Sequence, residues 1–166
     1  MKELKEFVSL VIDYRGKTPL KLGLNWSDAG FRALSAKNIK TGRIVNEDSI
    51  YYGNEELYRA WMKDEVMRGD ILITSEAPFG EVYFWDSDEK IILSQRLFCL
   101  RAKNIIPKYL YYAMSSSQFQ AELASRSTGT TVMGLRQPEL LKCRIPVKSS
   151  SEQQHIVDSM ENIYAY

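Results

Sequence analysis

Catalytic and metal-binding hardware is scarce in this chain of 166 residues. Its one histidine, His155, lies between Gln154 and Ile156 in a helical stretch with no metal-ligand spacing around it. The two cysteines, Cys99 and Cys143, do not form C-x-x-C, so neither a zinc knuckle nor a redox pair is indicated. Each sits in an apolar segment, which predicts buried free thiols of a reducing compartment, with a disulfide as the alternative. No glycine-rich phosphate cradle and no G-x-S-x-G elbow occurs. Asp70 and Glu76 flank an apolar strand, as acids do in metal-dependent nucleases. The lysine such sites place two residues beyond the acid is missing, since Pro78 follows Glu76 and Tyr83 follows Glu81, so turn roles are expected for both. No apolar run approaches the roughly 20 residues of a membrane span. Met1–Ser9 has neither an unbroken apolar stretch nor a small-residue cleavage site, unlike a secretory signal. No internal repeat or low-complexity linker is found. These absences predict a cytoplasmic single domain with no metal, no cofactor and no catalytic step of its own.

What the chain has is a core and an uneven distribution of charge. Hydrophobic residues make up 45% of it, enough for a domain of this length to bury a core without disulfides or metals. The net charge of +1 argues by itself against a nucleic-acid binder. Yet residues 1–43 hold nine basic and four acidic residues, 44–89 hold three and twelve, and 90–148 hold ten and two. If the two basic segments share a face, a neutral molecule presents a positive surface; if not, the charges are simply solvated.

Local patterns predict an α+β domain with a twisted β-rich core and flanking short helices. Phe7–Asp13 reads as a strand or a helical turn, broken by Gly16 and Pro19, and a strand is expected over Arg32–Ile39. Asn54 is a candidate N-cap, with Leu57, Tyr58 and Trp61 at helical spacing behind it. Gly69-Asp70 launches the run Ile71–Ile73, and Val82–Trp85 returns as the second arm of a hairpin. Ile91–Leu93 and Leu97–Leu100 continue the β-rich block. Pro107 opens a helix, Ser117 is expected to cap a second, and Leu140–Val147 alternates like a half-buried strand. Ser151 is expected to cap a last helix with Ile156, Val157, Met160 and Ile163 as its apolar stripe, still running where the sequence stops.

Six segments, in order along nearly the whole chain, resemble the specificity-subunit family of type I restriction-modification systems. Asp13–Pro19 is similar to the family's opening loop, and Leu34–Ile39 to the strand and turn after it. Gly69–Thr74 with Gly80 and Val82 resembles the central hairpin, and Leu93–Leu97 the following strand. Thr128–Thr131, followed by Leu135, Leu140 and Ile145-Pro146, matches the next loop, and Ser151–Val157 the entry into the spacer helix. The resemblance implies a DNA target-recognition domain over residues 1–150 and the beginning of a helical, coiled-coil spacer over 151–166. It implies recognition of one half of a split double-stranded DNA target for a complex of methyltransferase (modification) and restriction subunits, with self-association through the terminal helix as a further expectation. A recognition domain of a fused restriction-methylation enzyme is an equivalent assignment. A protein-interaction module on the same scaffold, without DNA binding, is the alternative from another class, and clustering of the basic loops on one face discriminates against it.

Polar loops on a rigid scaffold can reach phosphates and base edges, with Arg suited to guanine and Asn or Gln to adenine. On that basis the candidate DNA contacts are Arg15, Lys17, Lys37, Asn38, Lys40, Arg43, Arg126, Thr128, Thr130, Thr131, Arg136 and Gln137. Ser75, Glu76 and Phe79 are secondary candidates.

Overall fold

The computed structural model describes residues 1–129 and 133–164. In chain order its strands are β1 (Lys2–Glu3), β2 (Val8–Asp13), β3 (Phe31–Leu34), β4 (Ile39–Lys40), β5 (Arg43–Ile44), β6 (Tyr51–Gly53), β7 (Ile71–Thr74), β8 (Val82–Phe84), β9 (Ile92–Leu93), β10 (Leu97–Ala102) and β11 (Arg144–Ile145). The helices are α1 (Glu55–Trp61), α2 (Pro107–Ser115), α3 (Ser117–Ser125), α4 (Gln137–Lys142) and α5 (Ser150–Tyr164). The mixed α+β class expected from the sequence is the class observed.

The organising element is an antiparallel sheet ordered β2-β10-β7-β8, with Phe98 opposite Asp13 on one side and Ile73 on the other. Its strands read as continuous apolar runs because both faces are covered. Along β7 and β10, Leu72, Leu97 and Cys99 point into one apolar cluster, and Ile71, Ile73, Phe98 and Leu100 into another. Ile71, Leu72 and Ile73 are fully buried, and each such side chain stabilises the fold by about 2 kcal/mol relative to exposure. The first cluster is closed by β3, β9 and α1, through Leu34, Leu93 and Trp61; the second by α2, α3 and α4, through Leu110, Leu123 and Leu140. Both cysteines are buried and unpaired, as free thiols.

The cap of α1 is as expected, with Asn54 Oδ1 accepting from Leu57 N at 2.9 Å. Other boundaries move. Ser116, not Ser117, caps α3 by accepting from Phe119 N at 3.2 Å. Ser149, not Ser151, caps α5, accepting from Glu152 N and donating to the Glu152 carboxylate, both at 3.1 Å. The strand expected over Leu140–Val147 begins instead as the last turn of a helix, α4, which runs to Lys142. Pro138 fixes the first turn of α4, and only Arg144–Ile145 is extended enough to pair with β1. The strand expected over Arg32–Ile39 is broken by a tight turn at Ala36–Asn38. Gly30, at φ +128°, lies so near the Gly53 carbonyl that a Cβ would sit 2.3 Å from its oxygen, so this loop closes only on glycine.

The first turns of α5 pack against the preceding elements. Gln153 is buried, accepts from Ile106 N and donates to Lys148 O, each at 2.9 Å. Val157 is buried whereas Ile163 is 65% exposed, so the apolar stripe packs at its beginning and is open further on. No helix among the described residues is long and apolar enough to cross a membrane.

Candidate nucleic-acid interface

Loops distant in sequence meet around a groove of about 700 Å³ beside β3 and β9. The loop after β2 supplies Lys17 and Pro19, the turn after β3 supplies Ser35, Lys37 and Asn38, and the turn before β10 supplies Gln95 and Arg96. Bonds between these loops fix their relative positions. Gln95 Nε2 donates to Lys17 O, Ala36 N to Gln95 O at 3.0 Å and Ser75 N to Arg96 O at 2.8 Å. Trp26 and Tyr51 form an aromatic wall, stacked at 5.3 Å with 12° between their planes. Tyr51 is 56% exposed, and the Lys37 ammonium lies 5.7 Å from its ring centre.

Among the described residues, Lys17, Lys37 and Arg96 line this groove and no carboxylate does. A one-signed concave surface of this kind focuses a positive field on an otherwise neutral molecule. Lys17 has a structural task as well. Its Nζ donates to Trp61 O at 2.7 Å and lies 3.9 Å over the Tyr14 ring. Burial, reinforced by the Lys63 charge, holds its ammonium below the usual lysine range.

Of the twelve candidates, the groove brings together Lys17, Lys37 and Asn38, and the last is a correction. Asn38 is fully buried. Its Oδ1 accepts from Ser35 N at 3.1 Å, and its Nδ2 donates to Val45 O and Asn46 O at 3.2 Å each. The amide therefore builds the loop and has nothing left to offer a base.

Arg126 is engaged within the fold. It bridges Glu139 at 3.2 Å and Glu122 at 3.7 Å, tying α3 to α4. The hydrogen bond that it donates to Glu139 raises its pKa, and its Nε is buried without a partner among the described residues. Arg15 is largely engaged too. It grips Asp13 through Nε at 2.8 Å and Nη2 at 3.1 Å, donates from Nη1 to Leu135 O at 3.2 Å, and packs 4.2 Å over the Phe98 ring.

The remaining candidates are distributed along other edges. Lys40 and Arg43 are exposed and face each other across the β4–β5 turn. The tip of that turn is held by Thr41 N bonding the Glu81 carboxylate at 3.0 Å and Gly42 N bonding Val82 O at 3.2 Å. Thr128 is exposed and bridges Gly134 through two 2.9 Å backbone bonds. Arg136 is exposed at the N-cap of α4, and Gln137 is half-buried in its first turn. Thr130 and Thr131 lie outside the described residues. Among the secondary candidates, Ser75 is buried with no hydroxyl partner among the described residues, and Glu76 faces Arg96 at 3.6 Å.

Trp26, Tyr51, Gln95 and Arg96 were not among the site residues expected from the sequence. Only Gln95-Arg96 carries a local signal, a polar pair wedged between the apolar runs Ile91–Leu93 and Leu97–Leu100.

Loops fixed on a two-faced sheet, with a cationic groove and an aromatic wall that exposes Tyr51, are the physical make-up of a domain suited to nucleic acid. The chain belongs to the type I restriction modification DNA specificity domain family, whose model matches residues 1–165. It is 27% identical over 141 residues to the type I restriction enzyme MjaVIII specificity subunit of Methanocaldococcus jannaschii, a match covering 81% of this chain and 33% of that protein. It is 24% identical over 157 residues to the EcoR124I/EcoR124II specificity subunit of Escherichia coli, covering 89% and 37%. The chain thus spans about a third of the length of these relatives. Its fold matches the type I system S subunit from M. genitalium with a TM-score of 0.65 at 14% identity, over 97% of this chain and 37% of that one. The HsdS subunit from Thermoanaerobacter tengcongensis matches equally, with a TM-score of 0.65 at 17% identity over 97% and 40%.

Proposed function

We propose that this chain is a DNA target-recognition domain that reads one half of a split duplex site and leaves the chemistry to other subunits. Residues 1–150 form the recognition domain, and 151–166 begin a spacer helix. The partners are a methyltransferase subunit and a restriction subunit, in the cytoplasm, with the exposed end of α5 as a contact for a second helix. The observation that carries this is the groove itself, where, among the described residues, Lys17, Lys37 and Arg96 and no carboxylate line the surface beside the stacked pair of half-buried Trp26 and exposed Tyr51. Interleaved acids would favour a protein-interaction module; among the described residues none belongs to the lining, and Glu76 lies 3.6 Å from the lining Arg96.

Electrostatics set the strength. If about three phosphates are neutralised, log K falls against log salt with a slope of about −3. One domain of this size on one half-site then binds weakly by itself and gains from the phosphate contacts of its partners.

The test is selection from a random duplex library by the chain assembled with its cognate modification subunit. Enrichment of a short common sequence supports recognition and names the half-site. An assembled complex that enriches nothing returns the chain to the interaction-module class.

A further inference from the structure

We infer that Arg96 is the specificity-determining residue of the groove, a reader of guanine that Glu76 holds in reserve while DNA is absent. This deepens the proposed recognition of duplex DNA and rests on it.

Among the described residues, Arg96 is the only guanidinium lining the groove; the other two cations there are lysines. A lysine offers a point charge to any phosphate, whereas the planar fork of arginine matches guanine O6 and N7 together. Lys17 is further restricted by its bond to Trp61 O.

The root and the tip of Arg96 are held very differently. Its backbone is left-handed at φ 61°, a region unfavourable for any residue with a Cβ. Ser75 N bonds its carbonyl at 2.8 Å, and the next residue, Leu97, enters register opposite Thr74. Four described non-glycine residues have positive φ. Two are asparagines, which tolerate it; the other two, Ala77 and Arg96, both line this groove. Such conformations persist where the surrounding structure over-determines them, and they concentrate at functional sites.

The tip, by contrast, is loosely held. Arg96 Nε is 3.6 Å from Glu76 Oε1, too long for a good hydrogen bond, and the two side chains are 56% and 39% exposed. An ion pair this open is weak and easily exchanged. A rigid root gives the fork a fixed origin, and a weak latch lets it leave for a better partner. While latched, Glu76 cancels the charge that would otherwise attract any phosphate, so the pair suppresses non-specific binding.

The experiment is the same selection with wild type, R96A, R96G and E76Q, each assembled with the modification subunit. Wild type is expected to enrich a motif containing a guanine. R96A and R96G recover that motif with preference at the one guanine position lowered by about tenfold to a hundredfold. R96G melts no lower than wild type, because glycine removes the left-handed strain, so its loss of preference is not a loss of fold. E76Q keeps the motif and binds unrelated duplex more tightly. A motif without guanine, full preference retained by R96A, or a base choice altered by E76Q overturns the assignment of Arg96 and leaves recognition by the groove standing. A wild type that enriches no motif removes both.

Discussion

Arg101 clasps the carboxylate of Asp70 with two parallel bonds, Nε to Oδ1 at 3.0 Å and Nη2 to Oδ2 at 2.9 Å. The Asp70 side chain is 2% exposed and also accepts from Met67 N at 2.8 Å and from Cys99 Sγ at 3.4 Å. The aspartate at the head of β7 is thus a tie between β7, β10 and the turn before it. Truncating Arg101 leaves a buried charge uncompensated, and Arg101→Ala is expected to cost about 3 kcal/mol in urea unfolding. Asp70→Asn, which keeps hydrogen bonds and removes the charge, should cost less. Equal stability of Arg101→Ala and wild type would refute the role given to this pair.

Neighbouring Asn38 and Lys37 are expected to separate stability from binding. Asn38→Ala strands three buried bonding partners and should lower stability by about 2 kcal/mol without altering the base sequence selected. Lys37→Ala should leave the melting curve unchanged and make the salt slope of DNA binding shallower by about one. Thermal melts and titrations at several salt concentrations check both arms.

Arg126→Ala should destabilise the domain through the loss of the α3–α4 clamp on Glu122 and Glu139. The loss should be smaller than that of Arg101→Ala, because the Arg126 cluster is more open to water. DNA affinity measured well below the melting temperature, at fixed folded concentration, is expected to match wild type. A variant of undiminished stability that binds DNA markedly less would restore Arg126 to the interface.

Burial pushes the Cys143 thiol up to about 11, with the charges of Glu122 and Glu139 adding to the effect. The folded-state pKa lies above that of the unfolded chain, so the contribution is fully present below pH about 9. It is lost as pH rises toward 11, since the unfolded thiol ionises first. Stability is expected to fall by up to about 2 kcal/mol across that interval. Cys143→Ala, less stable at neutral pH, should show a flatter alkaline decline. Parallel decline in the two proteins would count against the assignment.

The parts of this fold legible in the sequence are those whose signals are local. The run Ile71–Ile73, the return strand from Val82 and the cap Asn54 with its apolar follow-up all depend on neighbours within a few residues. The α4 helix was hidden because Cys143, Ile145 and Val147 alternate like a strand while Pro138 begins a helix upstream. Half of the site was hidden for a different reason. Trp26 and Tyr51 become a wall only when the neighbouring Ser27 bridges to Tyr52, and Asn38 looks like an ordinary loop asparagine until its amide is seen closing the loop on Val45 and Asn46. Charge segregation pointed to a positive surface, but many of the basic residues that produced it, Arg126 and Arg15 among them, are engaged by acids of the same fold.

The two apolar clusters on opposite faces of the β2-β10-β7-β8 sheet divide the molecule like compartments on either side of a bulkhead. The groove is built on the layer of Leu34, Leu93 and Trp61, and α5 is seated on the layer of α2. Substitutions on the two sides share few neighbours, so their free energies add. Substitutions in the groove loops are therefore expected to leave the packing of the helical side unchanged, and on the function proposed above a new specificity need not be accompanied by a new way of assembling.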